Sequence, residues 1–283
     1  MTNAEQLKID VKTRAHKNKV APQDLMQMYF FERLLYRISN SKYKHNFILK
    51  GGLLLSAIIG DERRTTQDMD TMIKGIELDE KKLLPIIEEI INIDGNDDVT
   101  FEITKTKDIR LEDNYGGIKV YLIGRKEHLK VPLSIDITTK DPITPRELSF
   151  KYKCMFEDKY ISIMTFSKET IVAEKIETLL HDTMSNTRMK DFYDLYMLVR
   201  GYYKKIDKRI LLKAINKTCK RRNTLYILDN VLERFNSIKE STIMQDRWNR
   251  YSNKYEYAKN ITYDEIIKEI EKIINKIIEL QPL

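Results

Sequence analysis

The sequence predicts an α+β fold, a mixed sheet with flanking helices followed by an all-α C-terminal lobe, and three observations predict it. Short apolar runs punctuated by Gly, Asn and Asp fill residues 46–165. After about Phe166 this texture gives way to apolar residues at helical spacing. With 283 residues, 42% of them hydrophobic and 33% charged, the chain is long enough for one large domain or two modest ones, which argues against disorder.

Residues 1–45 read as two helices. The second opens at Ala21-Pro22-Gln23-Asp24, where the fixed φ of proline suits a first turn, and Leu25, Met28, Tyr29, Leu35 and Ile38 form its buried stripe. Strand-like runs follow as NFILK, DMDTMI, TFEIT, IKVYLI, VPLSIDIT, FKYKCMF and KYISIMTF. One helix interrupts them at roughly Glu80–Ile91, and Gly51-Gly52 ahead of LLLSAII marks a turn into another short helix. Beyond 166 the chain reads as four or five helices, among them Glu169–His181, Met189–Arg200, Ile206–Arg221 and Tyr263–Leu280. No Pro-rich linker, low-complexity tract or fixed-period repeat intervenes. The expected organisation is N-terminal helices at 1–45 packing on the core, a sheet core at 46–165 and a helical domain at 166–283.

Composition narrows the function classes. Lysine plus arginine exceed aspartate plus glutamate by 50 to 43, a net charge of +7 that suits a polyanionic partner. Two cysteines, Cys154 and Cys219, and four scattered histidines, His16, His45, His128 and His181, exclude zinc-finger spacing, a disulfide framework and a His-rich metal centre. A reducing, cytoplasmic location is expected. The longest nearly apolar stretch, Gly51–Gly60, falls short of the roughly 20 residues a bilayer needs, and MTNAEQLKIDVK lacks the apolar core of a signal peptide, so no membrane partner is expected.

The most informative segment is FILKGGLLLSAIIGDERRTTQDMDT at 47–71, in which a strand runs into Gly51-Gly52, then a helix, then a strand bearing Asp68 and Asp70. Carboxylates at i and i+2 on a strand share a face, about 6 to 7 Å apart along the backbone, and can converge on a divalent cation that bridges phosphates. Oxygen-only ligands favour Mg2+ or Mn2+ over zinc. Glycines at a strand-to-helix turn let backbone amides approach phosphate oxygens, and the helix N-terminus adds partial positive charge. A lone DxD or Gly-Gly is more often a turn or solvated edge; the order and spacing, with Arg64 and Thr66 ahead of the pair, raise the functional reading. GxxxxGK[ST] is absent, so a P-loop reading has little support. A third acid is offered by VPLSIDIT, where Asp136 lies on the polar face of an otherwise apolar strand.

Two later helices add candidates. Lys175 falls at the edge of the Val172, Ile176, Leu179, Leu180 stripe with Glu174 and Glu177 facing elsewhere, and Asp191 edges the Phe192, Leu195, Tyr196, Val199 stripe, with Arg188 inside it and Asp194 outward. Such groups snorkel or pair in ordinary cores; here Lys175 could meet a triphosphate and Asp191 fix its position. Arg209, Lys213, Lys217 and Lys220 recur along one helical face, either as a solvated surface or as an RNA contact.

Taken together, KGG at 50–52, Ser56, RTTQDMD at 64–70, AEK at 173–175 and RMKDFYDLY at 188–196 resemble the AbiEii/AbiGii-type toxins, a branch of the polymerase-beta-like nucleotidyltransferases, over residues 47 to about 200. The resemblance implies a minimal nucleotidyltransferase core, an NTP substrate, Mg2+ or Mn2+, and transfer of NMP to an acceptor. In mycobacterial relatives that acceptor is the tRNA 3′ end and translation stops; phage-defence relatives act in abortive infection beside a co-encoded antitoxin with a winged-helix DNA-binding region. Carried over, Gly51, Gly52, Ser56, Arg64, Thr66 and Lys175 would bind nucleotide, Asp68, Asp70 and Asp136 the metal, and Asp191 would complete the last motif. Gly-Gly replaces the Gly-Ser of many members, and Leu53 a frequent Thr. Two other readings stay open: a metal-dependent endoribonuclease using Asp136, Lys140, Glu174 and Lys175, and a non-catalytic RNA-binding protein.

Overall fold

Helices α1 (Asn3–Asn18) and α2 (Pro22–Asn40) lead into β1 (Phe47–Lys50), α3 (Gly51–Ile59), β2 (Met69–Ile73) and α4 (Glu80–Ile91) in the computed structural model, which describes residues 3–60, 63–109 and 116–280. Strands β3 (Thr100–Ile109), β4 (Gly117–Lys126), β5 (Leu129–Thr139), β6 (Leu148–Lys153) and β7 (Tyr160–Thr165) complete one mixed seven-stranded sheet, ordered β3-β4-β5-β2-β1-β7-β6. The pairs β1–β2, β3–β4, β4–β5 and β6–β7 run antiparallel, whereas β2–β5 and β1–β7 run parallel. The predicted α+β class is what the chain adopts.

Alternation along the strands decides which face is covered. On β4, Ile118, Val120 and Leu122 are buried while Lys119, Tyr121, Ile123 and Arg125 are half-buried. Helix α2 supplies the cover: a Cβ on Gly124 would lie 2.4 Å from the ring of Phe30, so glycine there lets helix and sheet meet. Glu80 of α4 accepts a hydrogen bond from Thr106, which is paired in register with Val120, so α4 lies on this closed face too. The opposite face, carrying the odd-numbered β4 residues, is the one that concerns function.

Two differences from the sequence reading have local causes. Strand β3 extends to Ile109, well past the TFEIT run, because edge pairing with β4 holds its polar second half in place without apolar alternation. Strand β6 stops at Lys153, and Cys154–Phe156 enter a loop that Glu32 of α2 secures by accepting the Met155 amide at 2.6 Å.

Chain contacts divide the molecule into two units, Met1–Asp141 with Glu147–Thr165, and Pro142–Arg146 with Phe166–Leu283. The second unit holds α5 (Lys168–Asp182), α6 (Met189–Tyr202), α7 (Lys208–Arg221), α8 (Val231–Lys239), α9 (Thr242–Lys254) and α10 (Tyr263–Leu280). Ser167 caps α5 by accepting the Thr170 amide, and Asp207 caps α7 by accepting those of Arg209 and Ile210, which sets the start of α7 two residues later than the Ile206 expected. Trp248 of α9 is fully buried and donates its indole N–H to the Ile261 carbonyl at 2.8 Å. Among the described residues no helix is long and apolar enough to cross a membrane.

Candidate active site

Strand register brings the three predicted carboxylates of the first unit to the open face. Asp70 on β2 is the parallel partner of Asp136 on β5, and Lys119 on β4 is the antiparallel partner of Asp136, so the three stand in one cross-strand row. Asp68 precedes β2 and forms the start of a second row: Ser134, two residues before Asp136, donates its hydroxyl to the Asp68 carboxylate. Lys119 spans both rows, its Nζ 3.3 Å from Asp68 Oδ1 and 3.0 Å from Asp136 Oδ1. Burial holds the Asp136 pKa above the usual carboxylate range, the bond to Lys119 opposes this, and the charges of Asp70 and Asp68 reinforce it. For Lys119, burial pulls the other way but is outweighed by Asp136 and Asp68, which raise its pKa.

The glycine pair faces the same carboxylates. Gly51 has φ of +59°, and a Cβ there would lie 1.9 Å from Asp70 Oδ2; one on Gly52 would lie 2.4 Å from the Thr66 hydroxyl. Only glycine fits at either place without displacing a neighbour. The Gly52 amide, at the start of α3, donates to Asp70 Oδ2 at 3.3 Å. A carboxylate thus lies where the helix N-terminus favours an anion.

The remaining predicted nucleotide contacts of this unit brace the turn. Arg64, buried, donates to the Gly52 carbonyl at 2.9 Å, and Thr66 donates to the Asp68 carbonyl at 3.2 Å. Ser56 donates its hydroxyl to the Arg64 carbonyl, one turn along α3 from the glycines. Lys50, the register partner of Asp70, is buried and pairs with Asp141.

Among the described residues, no group of three or more His, Cys, Asp or Glu side chains is drawn together closely enough to hold a metal ion by itself. The donor set nonetheless suits a hard divalent cation: its acids are oxygen donors on one face, and a cation, the Lys119 ammonium, already lies against two of them. Lys119 and Ser134 escape sequence reasoning, and Lys50 enters it only as part of the KGG run, without a role of its own. Lys119 is an ordinary polar position between Ile118 and Val120, and only its register with Asp136 distinguishes it.

In the second unit, Lys175 and Asp191 are paired, and Lys175 also contacts Asp194 Oδ2 at 2.9 Å. Arg188 Nε lies 3.2 Å from Asp191 Oδ2. Three expectations on these helices are corrected. Asp194 points inward and is fully buried, because the Lys175 ammonium neutralises it there. Arg188 lies outside the apolar stripe, since α6 begins one residue later, and its side chain is 66% exposed. Glu177 is buried, bound by Arg222 and by the Thr224 hydroxyl at 2.8 Å, while Glu174 lies 3.5 Å from Arg222. Arg209, Lys213, Lys217 and Lys220 are exposed along α7. Of the nuclease candidates, Asp136 and Lys140 belong to the first unit, and Glu174 and Lys175 to the second.

Two solved structures share the fold. JHP933 from Helicobacter pylori matches with a TM-score of 0.50 and 13% identity over 92% of this chain and 93% of that one. A second H. pylori chain, described as a candidate nucleotidyltransferase, matches with a TM-score of 0.50 and 14% identity over 93% of this chain and all of that one. No curated protein matches in sequence. The family is more specific than the fold: residues 33–271 match the model described as nucleotidyl transferase AbiEii toxin, type IV TA system, and the chain belongs to that family. It is therefore a nucleotidyltransferase toxin of a toxin–antitoxin system, with an NTP as substrate and an antitoxin as its counterpart.

Proposed function

We propose that this toxin moves NMP from an NTP to the 3′ hydroxyl of an RNA, the tRNA 3′ end, and so blocks translation, in a phage-defence or toxin–antitoxin setting. The observation that carries the reading is the Gly51-Gly52 turn facing the Asp70–Asp136 row, an anion seat beside a cation seat. Asp68, Asp70 and Asp136 would hold Mg2+ or Mn2+, which when bound neutralises phosphate charge and eases deprotonation of the attacking hydroxyl. The Gly51 and Gly52 amides receive the phosphate oxygens of the NTP, in the seat that the Asp70 carboxylate takes without substrate. Lys119 balances Asp68 and Asp136 until substrate arrives. Lys175, oriented by Asp191 and Asp194, is the lysine proposed for nucleotide binding. The basic face of α7 gathers RNA, and residues 166–283 act as the helical domain of the enzyme. The counterpart antitoxin carries a winged-helix DNA-binding region.

The test is to incubate the pure chain with Mg2+, total RNA and each α-labelled NTP in turn. Label in RNA, lost on chelation, supports the reading. RNA shortened without NTP would replace it by a nuclease, and label in protein would move the acceptor.

A further inference from the structure

The open sheet face continues past the carboxylates. The row of Asp70, Asp136 and Lys119 extends to Lys107, the partner of Lys119 on β3. The row that starts at Asp68 and Ser134 extends to Tyr121 on β4 and then to Lys105 on β3. Lys105 and Lys107 are exposed and Tyr121 is half-buried. Lys105 Nζ lies 4.5 Å from the Tyr121 ring centroid, so a cation flanks one aromatic ring. In the next row Glu102 is neutralised by Arg125 at 2.7 Å. Helices α2 and α4 lie on the opposite face of these strands. Beyond Ser134 and Asp136 the two rows therefore present three lysines and a tyrosine.

In-line displacement decides what this patch faces. The attacking oxygen approaches the α-phosphate from the side opposite the departing pyrophosphate. With the phosphates at the Gly51-Gly52 turn, beside β1, the attacking hydroxyl enters from the side of β5, β4 and β3. We infer that the face formed by Lys105, Lys107, Lys119 and Tyr121 is the acceptor track: it holds the 3′-terminal nucleotides of a single-stranded RNA, the lysines on phosphates and the Tyr121 ring against a base. Strand β3 lies about 10 Å from β5, two strand spacings, so the contacts fall close behind the reacting end. Single strands suit the track because an unstacked base can lie on an aromatic ring while cations follow its backbone. This inference rests on the proposed RNA acceptor, and it assigns the terminal contacts to β3 and β4 of the first unit, apart from the basic face of α7.

The test uses the full chain and a 5′-fluorescein-labelled single-stranded RNA of twelve nucleotides, followed by anisotropy. Lys105→Glu with Lys107→Glu should weaken binding at least about tenfold and reduce the slope of log affinity against log salt by about 1.4, two phosphate contacts on a single strand. Tyr121→Leu should weaken it roughly fivefold or more, as loss of one stacked base predicts, whereas Tyr121→Phe should bind like wild type. Lys17→Glu with Lys81→Glu, the same charge change on α1 and α4, is the control, and circular dichroism melts verify folding. Equal weakening in the control pair, or wild-type binding untouched by the β3 and Tyr121 variants, would overturn the track while leaving the RNA acceptor standing. Absence of wild-type binding together with label transfer to protein would overturn the acceptor, and the track with it.

Discussion

At the scale of single residues, charge balance governs the candidate site. Asp70 combines two duties, accepting the Gly52 amide and standing in register with Asp136. Asp70→Asn keeps the shape and removes the charge. Label transfer from NTP should fall roughly a hundredfold, about 3 kcal/mol of transition-state stabilisation, by comparison with deleting one preorganised electrostatic contact; unimpaired transfer by a folded variant would remove Asp70 from the site. Lys119 offers a readout independent of turnover. Its ammonium lies between Asp68 and Asp136, so Lys119→Met leaves those carboxylates without their cation. Added Mg2+ should then raise the melting temperature more in the variant than in wild type, and equal shifts would show that the two cations do not share a seat. Asp68 and Asp70 were legible in the sequence as a spaced pair after two glycines; Lys119 was not, because a lysine on the polar side of an alternating strand carries no signal until its neighbour strand is known.

Whole elements depend on a few such contacts. The β1–α3 turn needs φ of +59° at Gly51 and leaves no space for a methyl beside Asp70. Gly51→Ala therefore meets a backbone cost of about 1–2 kcal/mol and also displaces the carboxylate. Both a lower melting temperature and loss of label transfer are expected, separable by measuring each. Helix α2 is tied to the loop after β6 through Glu32, fully buried, whose pKa burial pushes up to about 7 while the Met155 amide opposes the rise. Because the folded pKa lies above the unfolded one, the folded state binds the extra proton. The contribution of Glu32 to stability is then fully present below pH 4.5 and is lost as pH rises to about 7, a span of about 3 kcal/mol. Glu32→Gln should flatten that decline, as denaturant titrations on either side of the window would reveal; an unchanged slope would assign it to other groups. Most helices and all the strands were readable from periodicity, whereas the polar half of β3 and the end of β6 were set by pairing and by Glu32, partners remote in sequence.

Across the whole molecule, the two cysteines report on the two units separately, Cys154 in the first and Cys219 in the second. Burial pushes each thiol up to about 11, so both are neutral and shielded at neutral pH. Alkylation in the native state should be slow and should become rapid for each cysteine as its unit unfolds, which mass spectrometry across a denaturant series can follow; fast native labelling would contradict the burial. By itself the sequence determined the α+β class, the ordering of strands before helices, the glycine turn, the acidic pair and the family resemblance, because propensity, spacing and local motifs are properties of neighbouring residues. Tertiary structure alone decided that Asp136 stands beside Asp70, that Lys119 bridges the acids, that Asp194 and Glu177 are buried against Lys175 and Arg222, and that Lys105, Lys107 and Tyr121 share the open face. Those relations rest on strand register and helix packing, which join residues far apart in the chain and which no local pattern encodes.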